Sequence, residues 1–144
     1  MKHIIFMLVS LVVLSYSALA EEYTVSKITD GDTIHVIASD ATEIVVRFDY
    51  IDTMESYKNN RAKAIAKACK VRINELITSG LEAKEYLITT LPLGSKVNIE
   101  FHGLDSLNKR SMGEIFLNGK SINEDMVRSG HAIPFFKYIK DPEI

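Results

Sequence analysis

Five charged residues in three short stretches have the types that assisted attack on a phosphate ester requires. They are Asp32, Arg47, Asp52, Glu55 and Arg110. Carboxylates bind hard divalent cations through oxygen, and each guanidinium can pair with two phosphate oxygens while staying charged at any working pH. A further carboxylate can orient or deprotonate the attacking water. The set therefore predicts metal-assisted hydrolysis of a phosphodiester.

Each of these residues taken alone also has an ordinary explanation, because surface Asp, Glu and Arg mostly face water. The presence of all five in one chain is what favours a catalytic site. Asp49 lies between Arg47 and Asp52 and has no place in this chemistry, so we expect it to be a charge on the strand surface. The single cysteine, Cys69, is expected to be a small buried helix residue.

Stretches rich in Val, Ile and Thr predict short strands separated by turns. The first two flank Asp30 and Gly31, a pair that also has a plain turn-forming role in a hairpin. Side chains alternate along a strand, so Arg47 and Asp52 would point to opposite faces unless the third strand bends or stops before Asp52. The predicted strands cover residues 22–28, 33–37, 43–51, 96–101 and 111–117.

Three helices are predicted from apolar spacing and end signals. The first is amphipathic and ends near Ser79 and Gly80, and the second covers residues 81–91. The third covers residues 121–129 and begins with a possible capping box. Five strands with helices between the third and fourth predict an α+β, mainly β, fold: a five-stranded OB-type barrel with two to three helices.

Charge is distributed unevenly along the chain. Without Lys2 the chain has 16 Lys and Arg against 19 Asp and Glu, yet residues 56–74 contain six cations and no acid. A local patch of this kind can attract a polyanion even though the total is slightly negative. A solvated helix face is an equally good explanation. The candidate substrate-binding cations on this segment are Lys63, Lys67 and Lys70.

Residues 1–20 are predicted to be a signal peptide that is removed. Lys2 and His3 precede a largely apolar run at residues 4–14, and Ala18-Leu19-Ala20 fits a signal-peptidase site. The run is shorter than the roughly twenty residues that cross a hydrocarbon core. We therefore expect one exported domain, residues 21–144, with a basic helical insertion at about 56–80. It would be periplasmic or secreted, without a membrane span, and monomeric.

The chain resembles the staphylococcal (micrococcal) nuclease family, or thermonucleases. The resemblance rests on Asp30-Gly31-Asp32-Thr33, on the nine-residue string from Arg47 to Glu55 in register with it, and on Arg110. It implies an OB-fold and a calcium ion bound by Asp32, Asp52 and the backbone carbonyl of Thr53. It also implies phosphate contacts from Arg47 and Arg110 and activation of water by Glu55.

The same resemblance implies that DNA and RNA are substrates and that Phe136 and Tyr138 contact nucleotides. Two positions depart from the family pattern. Met54 replaces a proline, and Asn108-Lys109-Arg110 replaces the common Tyr-Gly-Arg, which removes an aromatic ring beside the phosphate-binding arginine. We expect these changes to affect substrate affinity more than chemistry.

Two other classes of protein are compatible with the sequence. One is a noncatalytic OB-fold module that binds single-stranded nucleic acid or another polyanion through the basic helix. The other is a metal-stabilised structural or interaction domain without affinity for nucleic acid. A cleavage assay distinguishes the nuclease from both alternatives. Retention on a polyanion column distinguishes the nucleic-acid-binding module from the structural domain.

Overall fold

A computed structural model describes residues 21–105 and 109–135. The predicted signal peptide lies outside the described residues, as do Phe136 and Tyr138. In the described part of the chain no helix combines the length and the apolar character needed to cross a membrane.

Five strands form a closed barrel with mixed strand directions, as the sequence predicts. Neighbouring strands pair antiparallel in the order β3, β2, β1, β5 and β6, and a parallel pairing of β3 with β6 closes the ring. Three two-residue strands lie at its margins, with β4 paired to β8 and β7 paired to β6. The strands are β1 Glu22–Asp30, β2 Thr33–Ile37, β3 Glu43–Phe48, β4 Ile51–Asp52, β5 Lys96–Leu104, β6 Ser111–Leu117, β7 Lys120–Ser121 and β8 Ile133–Pro134.

The chain bends sharply between β3 and β4, as the position of Arg47 and Asp52 requires. Tyr50 has a φ of 59°, a left-handed conformation, which breaks the strand predicted at residues 43–51 in two. Asn123 holds the bend, because its side-chain amide donates to the carbonyl oxygens of Asp49 and Gly113. The break lets Asp52 turn toward the same side as Arg47 instead of continuing the alternation.

Three helices accompany the barrel: α1 Asn60–Cys69, α2 Ile73–Thr90 and α3 Ile122–Arg128. The predicted helix boundary near Ser79 and Gly80 is wrong. The break falls at Lys70, which ends α1 in a left-handed conformation with a φ of 55°. Helix α2 then runs through Gly80. The glycine is not a helix end, because its lack of a side chain permits a close contact with the backbone of residues 54–55. Helix α3 begins as predicted, with the Ser121 hydroxyl accepting from the Glu124 amide.

One apolar core fills the barrel, and a smaller one lies between α1 and α2. The largest fully buried side chains of the barrel include Phe48, Ile34, Leu87 and Met126. The small cluster consists of Ala62, Ala66 and Leu76. The prediction that Cys69 is buried is wrong: α1 ends at this residue, and Cys69 is exposed.

We predict that Gly80→Ala destabilises the protein although alanine is the better helix former. A Cβ at this position would lie 2.3 Å from the backbone oxygen of Glu55, so α2 or the loop would have to move. Overpacking of this kind costs about 1–3 kcal/mol. Urea unfolding measures the difference in the free energy of unfolding. Ser79→Ala, at an exposed neighbouring position, is the control and should change stability by less than about 0.5 kcal/mol. A Gly80→Ala variant as stable as the wild type would contradict this packing.

Candidate active site

The guanidinium of Arg47 joins two acids that are far apart in sequence. Its Nη1 donates to Asp32 Oδ1 at 3.0 Å, and its Nη2 donates to Asp52 Oδ1 at 2.7 Å. The side chains of Asp32 and Asp52 are only 3% and 9% exposed. Three of the predicted site residues therefore meet at one buried point.

Asp32, in the turn between β1 and β2, is held through both its backbone and its carboxylate by residues of other segments. The Phe48 amide donates to the Asp32 carbonyl at 2.8 Å, and the Thr53 amide donates to Asp32 Oδ2 at 3.1 Å. Gly31 lets this turn lie against Thr53, because a Cβ on Gly31 would be 2.9 Å from Thr53 Cγ2. The glycine of the Asp-Gly turn thus has a packing role at the site.

Burial and charge act in opposite directions on Asp32. Burial raises the pKa of its carboxyl group above the ordinary range, and the positive charge of Arg47 works against that rise. Burial also tends to lower the pKa of Arg47, but the two carboxylates more than compensate and raise it. A guanidinium flanked by two carboxylates therefore stays charged in spite of its burial.

Glu55 is connected to this cluster through Arg61, a residue to which the sequence analysis assigned no role. Arg61 Nη1 donates to Glu55 Oε1, and Arg61 Nη2 donates to Asp52 Oδ2. Asn59, the N-cap of α1, donates to Glu55 Oε2. One signal in the sequence could have identified Arg61. Asn59 is a favourable N-cap residue shortly after Glu55, and a helix that begins there places Arg61 in its first turn, close to Glu55.

Arg110 faces the same cavity but is held by a different acid. Its Nε donates to Asp105 Oδ2 at 2.8 Å, and Asp105 Oδ1 accepts from the Lys109 amide at 2.9 Å. Asp105 is buried, whereas the Arg110 side chain is 33% exposed. Asp105 therefore orients a guanidinium that remains accessible from the cavity.

A cavity of about 310 Å³ opens onto these groups. Its lining includes Asp32, Arg47, Glu55 and Arg110, and Arg61 contributes as well. Tyr57 is also on the lining and is 63% exposed, so an aromatic ring stands at the mouth. A larger cavity, of about 850 Å³, lies beside α3 and the turn before β7 and contains none of the predicted site residues.

The donor set suits a hard divalent cation. Asp32 and Asp52 offer carboxylate oxygens from neighbouring backbone segments, and the carbonyl of Thr53 follows directly in the chain. Among residues 21–105 and 109–135, no three His, Cys, Asp or Glu side chains form a metal site by themselves. A cation would accordingly need the backbone carbonyl or water as further ligands, which calcium and magnesium accept readily.

The predicted basic segment, residues 56–74, contains the loop before α1, the whole of α1 and the first residues of α2. Lys63, Lys67 and Lys70 are all exposed. Lys63 and Lys67 are four residues apart and lie on one face of α1, and Lys70 ends the helix in a left-handed conformation. Because α1 starts with the residues that contact Glu55, this face begins beside the cavity.

Of the predicted nucleotide contacts, Phe136 and Tyr138 lie outside the described residues. The neighbouring Phe135 is described, and its amide donates to the Tyr50 carbonyl at 2.7 Å.

The expectation that Asp49 is a surface charge is wrong. Asp49 is 4% exposed, and its Oδ2 lies 2.6 Å from Nδ1 of His102. Burial raises the pKa of its carboxyl group, and the contact with His102 opposes that rise. Asp49 follows the end of β3 and precedes the bend at Tyr50, and in this position its side chain lies against His102 instead of facing solvent.

The closed five-stranded barrel with its accompanying helices is consistent with an OB-fold domain. Residues 45–143 match the family described as staphylococcal nuclease homologue, and the chain belongs to this family. It is also similar to the Endonuclease YhcR of Bacillus subtilis (strain 168), with 27% identity over 125 residues. That alignment covers 85% of this chain and 10% of the relative, so the chain spans a small part of the relative's length.

We predict that Asp105→Asn lowers stability at neutral pH and makes it less sensitive to acid. The hydrogen bond from the Lys109 amide, with help from Arg110, lowers the pKa of Asp105 from 3.8 to about 2. A carboxyl group with a depressed pKa in the folded state stabilises the fold above pH 3.8, and this contribution disappears as the pH falls toward 2. Urea unfolding between pH 6 and pH 2 measures the effect. Equal pH dependence in the two proteins would exclude this role of Asp105.

Proposed function

We propose that the protein is a calcium-dependent nuclease that hydrolyses phosphodiester bonds in DNA and RNA by direct attack of water. The observation that carries this proposal is the Arg47 guanidinium bridging Asp32 and Asp52 at a cavity that Glu55 and Arg110 also line. Membership of the nuclease family supports the reaction class. The similarity to an endonuclease supports attack within a strand.

Asp32, Asp52 and the carbonyl of Thr53 would hold the calcium ion. A bound divalent cation supplies Lewis acidity toward a phosphate oxygen and offsets the charge that develops on it. The two carboxylates are pre-assembled by Arg47, so they need not be gathered when the cation arrives.

Glu55 is proposed to accept a proton from water as the water oxygen bonds to phosphorus. The phosphorus–oxygen bond to the departing nucleotide then breaks, and that oxygen takes a proton from solvent. Arg47 and Arg110 neutralise the nonbridging oxygens, which carry more charge in the transition state than in the ester. Each carboxylate oxygen can accept more than one hydrogen bond, so Glu55 can accept from water while Arg61 and Asn59 keep their contacts with it.

Longer substrates would contact the protein outside the cavity. Lys63 and Lys67 on one face of α1, and Lys70 at its end, are exposed and are proposed to pair with backbone phosphates. Phe136 and Tyr138 are proposed to contact bases, and Tyr57 offers a further exposed ring at the cavity mouth. Stacking on aromatic rings is tolerant of sequence, which fits a nuclease without base specificity.

We propose further that the protein acts outside the cytoplasm, in the periplasm or after secretion, as a monomer. The apolar run at residues 4–14 followed by Ala18-Leu19-Ala20 supports removal of a signal peptide during export. The calcium concentration outside the cell is compatible with the weak, oxygen-rich site proposed here.

A noncatalytic module for single-stranded nucleic acid or another polyanion is the second candidate. Both carboxylate oxygens of Glu55 already accept hydrogen bonds, and Arg110 is paired with Asp105, which favours this alternative. Binding of an oligonucleotide at millimolar calcium without any cleavage would support the module over the nuclease.

The decisive measurement is cleavage of DNA and RNA by the purified protein with calcium, with magnesium and with chelator. We expect cleavage with calcium and none with chelator. Glu55→Gln should reduce turnover by about 10²- to 10⁴-fold through loss of the general base, and Arg110→Ala by about 10²- to 10³-fold through loss of charge stabilisation. Wild-type turnover in both variants would refute the assigned roles.

Two matched substitutions control for the loss of charge alone. Glu85→Gln removes an exposed acid on α2, and Arg128→Ala removes an exposed arginine paired with Glu124 on α3. Neither residue lines the cavity of the candidate site. Both controls should cleave at the wild-type rate, and circular dichroism should show that all four variants keep the fold.

The basic face of α1 is tested by the salt dependence of binding. Replacement of Lys63, Lys67 and Lys70 by Gln should weaken binding of long DNA and flatten the plot of log affinity against log salt. The slope should fall by up to about 3, since each phosphate contact on duplex DNA contributes about 0.9. Cleavage of a dinucleotide, which is too short to reach the helix, should stay unchanged. An unaltered slope would show that α1 does not contact the substrate backbone.

A further inference from the structure

Arg61 contacts two acids to which the proposed function gives different tasks. Its guanidinium donates through Nη2 to Asp52 Oδ2 and through Nη1 to Glu55 Oε1. Asp52 is a proposed calcium ligand and Glu55 the proposed base. One side chain from the inserted helix α1 therefore links the cation site to the water-activating group.

The hydrogen bonds around Asp52 leave little freedom for a cation. Arg47 donates to Oδ1 at 2.7 Å, and Arg61 donates to Oδ2, so each oxygen accepts from a guanidinium. A divalent cation that coordinates Asp52 must displace or crowd one of these two groups. Competition between positive charges for one carboxylate makes each bind more weakly in the presence of the other.

The two arginines differ in how firmly they are held. The Arg47 side chain is 15% exposed and also donates to Asp32 at 3.0 Å, which fixes it between two buried carboxylates. The Arg61 side chain is 45% exposed, at the open side of the cluster. Removal of Arg61 leaves Asp52 with its bond to Arg47, whereas removal of Arg47 leaves the buried Asp32 without a guanidinium. Arg61 is the group that can leave at the lower cost.

We propose that Arg61 is a displaceable counter-ion: it occupies the cation-facing oxygen of Asp52 in the free protein and leaves it when calcium binds. The inference rests on the proposed function and adds a residue to it. After displacement from Asp52, Arg61 keeps its contact with Glu55, and Asn59 holds the other oxygen of the same carboxylate. Arg61 is then a positioning residue for the base.

This arrangement has opposite consequences for calcium affinity and for turnover. Loss of Arg61 removes a competitor at Asp52, so calcium should bind more tightly to the free protein. The same loss removes one of two groups that orient Glu55, so kcat should fall. A residue that served only to support the fold would weaken both properties together.

Calorimetric titration of calcium into Arg61→Ala, without nucleic acid, tests the first consequence. The dissociation constant should fall about tenfold, the size of one charge-assisted hydrogen bond removed. Lys58→Ala is the matched control, because Lys58 is an exposed cation three residues away that does not line the cavity. Lys58→Ala measures how much the loss of one nearby positive charge alters the calcium dissociation constant, and the change in Arg61→Ala should be clearly larger.

Turnover of the same variants tests the second consequence. In Arg61→Ala, kcat should fall roughly tenfold at saturating calcium, as expected when a group that orients an active residue is removed. Arg61→Lys keeps the charge but lacks the fork that reaches two acids, so its calcium affinity should lie between those of wild type and Arg61→Ala. Thermal unfolding of both variants verifies the fold, and Arg61→Gln replaces Arg61→Ala if the latter does not fold.

The outcomes separate this inference from the proposed function. If the wild type binds calcium and cleaves, while Arg61 variants bind calcium no more tightly than Lys58→Ala, only the role of Arg61 is overturned. If the wild type neither binds calcium nor cleaves nucleic acid, both proposals are overturned. Tighter calcium binding combined with a lower kcat in Arg61→Ala would support the displaceable counter-ion.

Discussion

The bridge from Arg47 to Asp32 and Asp52 is the interaction on which the rest of the site depends. Two carboxylates that are less than one-tenth exposed would repel each other without a shared positive charge. Removing one partner of a buried ion pair costs about 3–5 kcal/mol, because the remaining charge stays uncompensated. The guanidinium therefore ties the β1–β2 turn, strand β3 and strand β4 to a single point. The sharp bend at Tyr50 is the backbone rearrangement that makes this bridge possible.

Helix α1 combines two properties that the sequence suggested only in part. Its exposed lysines present positive charge to solvent, while its first residues contact the acid cluster through Asn59 and Arg61. Helix α1 is thus attached to the candidate site at one end. Its small apolar cluster with α2 holds it in place without adding to the barrel core. A helix outside the barrel in this way supplies side chains that the strands do not offer.

Three arginines line one cavity, and they differ in their exposure and in the acids that they contact. Arg47 lines the cavity and donates to Asp32 and Asp52. Arg110 is oriented by Asp105, and Arg61 lies at the more exposed side. Each guanidinium has its own acid partner, so the mutual repulsion of the three is offset locally. The result is a polar cavity with both signs of charge, suited to a cation and to a phosphate together.

Local sequence signals determined the strands, the Asp-Gly turn, the cap of α3 and the five residue types of the site, because these depend on side chains a few positions apart. The sequence also required a bend before Asp52, although it did not show where. Only the tertiary structure decided that α2 continues through Gly80, that Asp49 is buried against His102, and that Arg61 reaches both Asp52 and Glu55. These features arise where distant segments pack together, and contact across such an interface can override the local preference of a glycine, an acid or an exposed arginine.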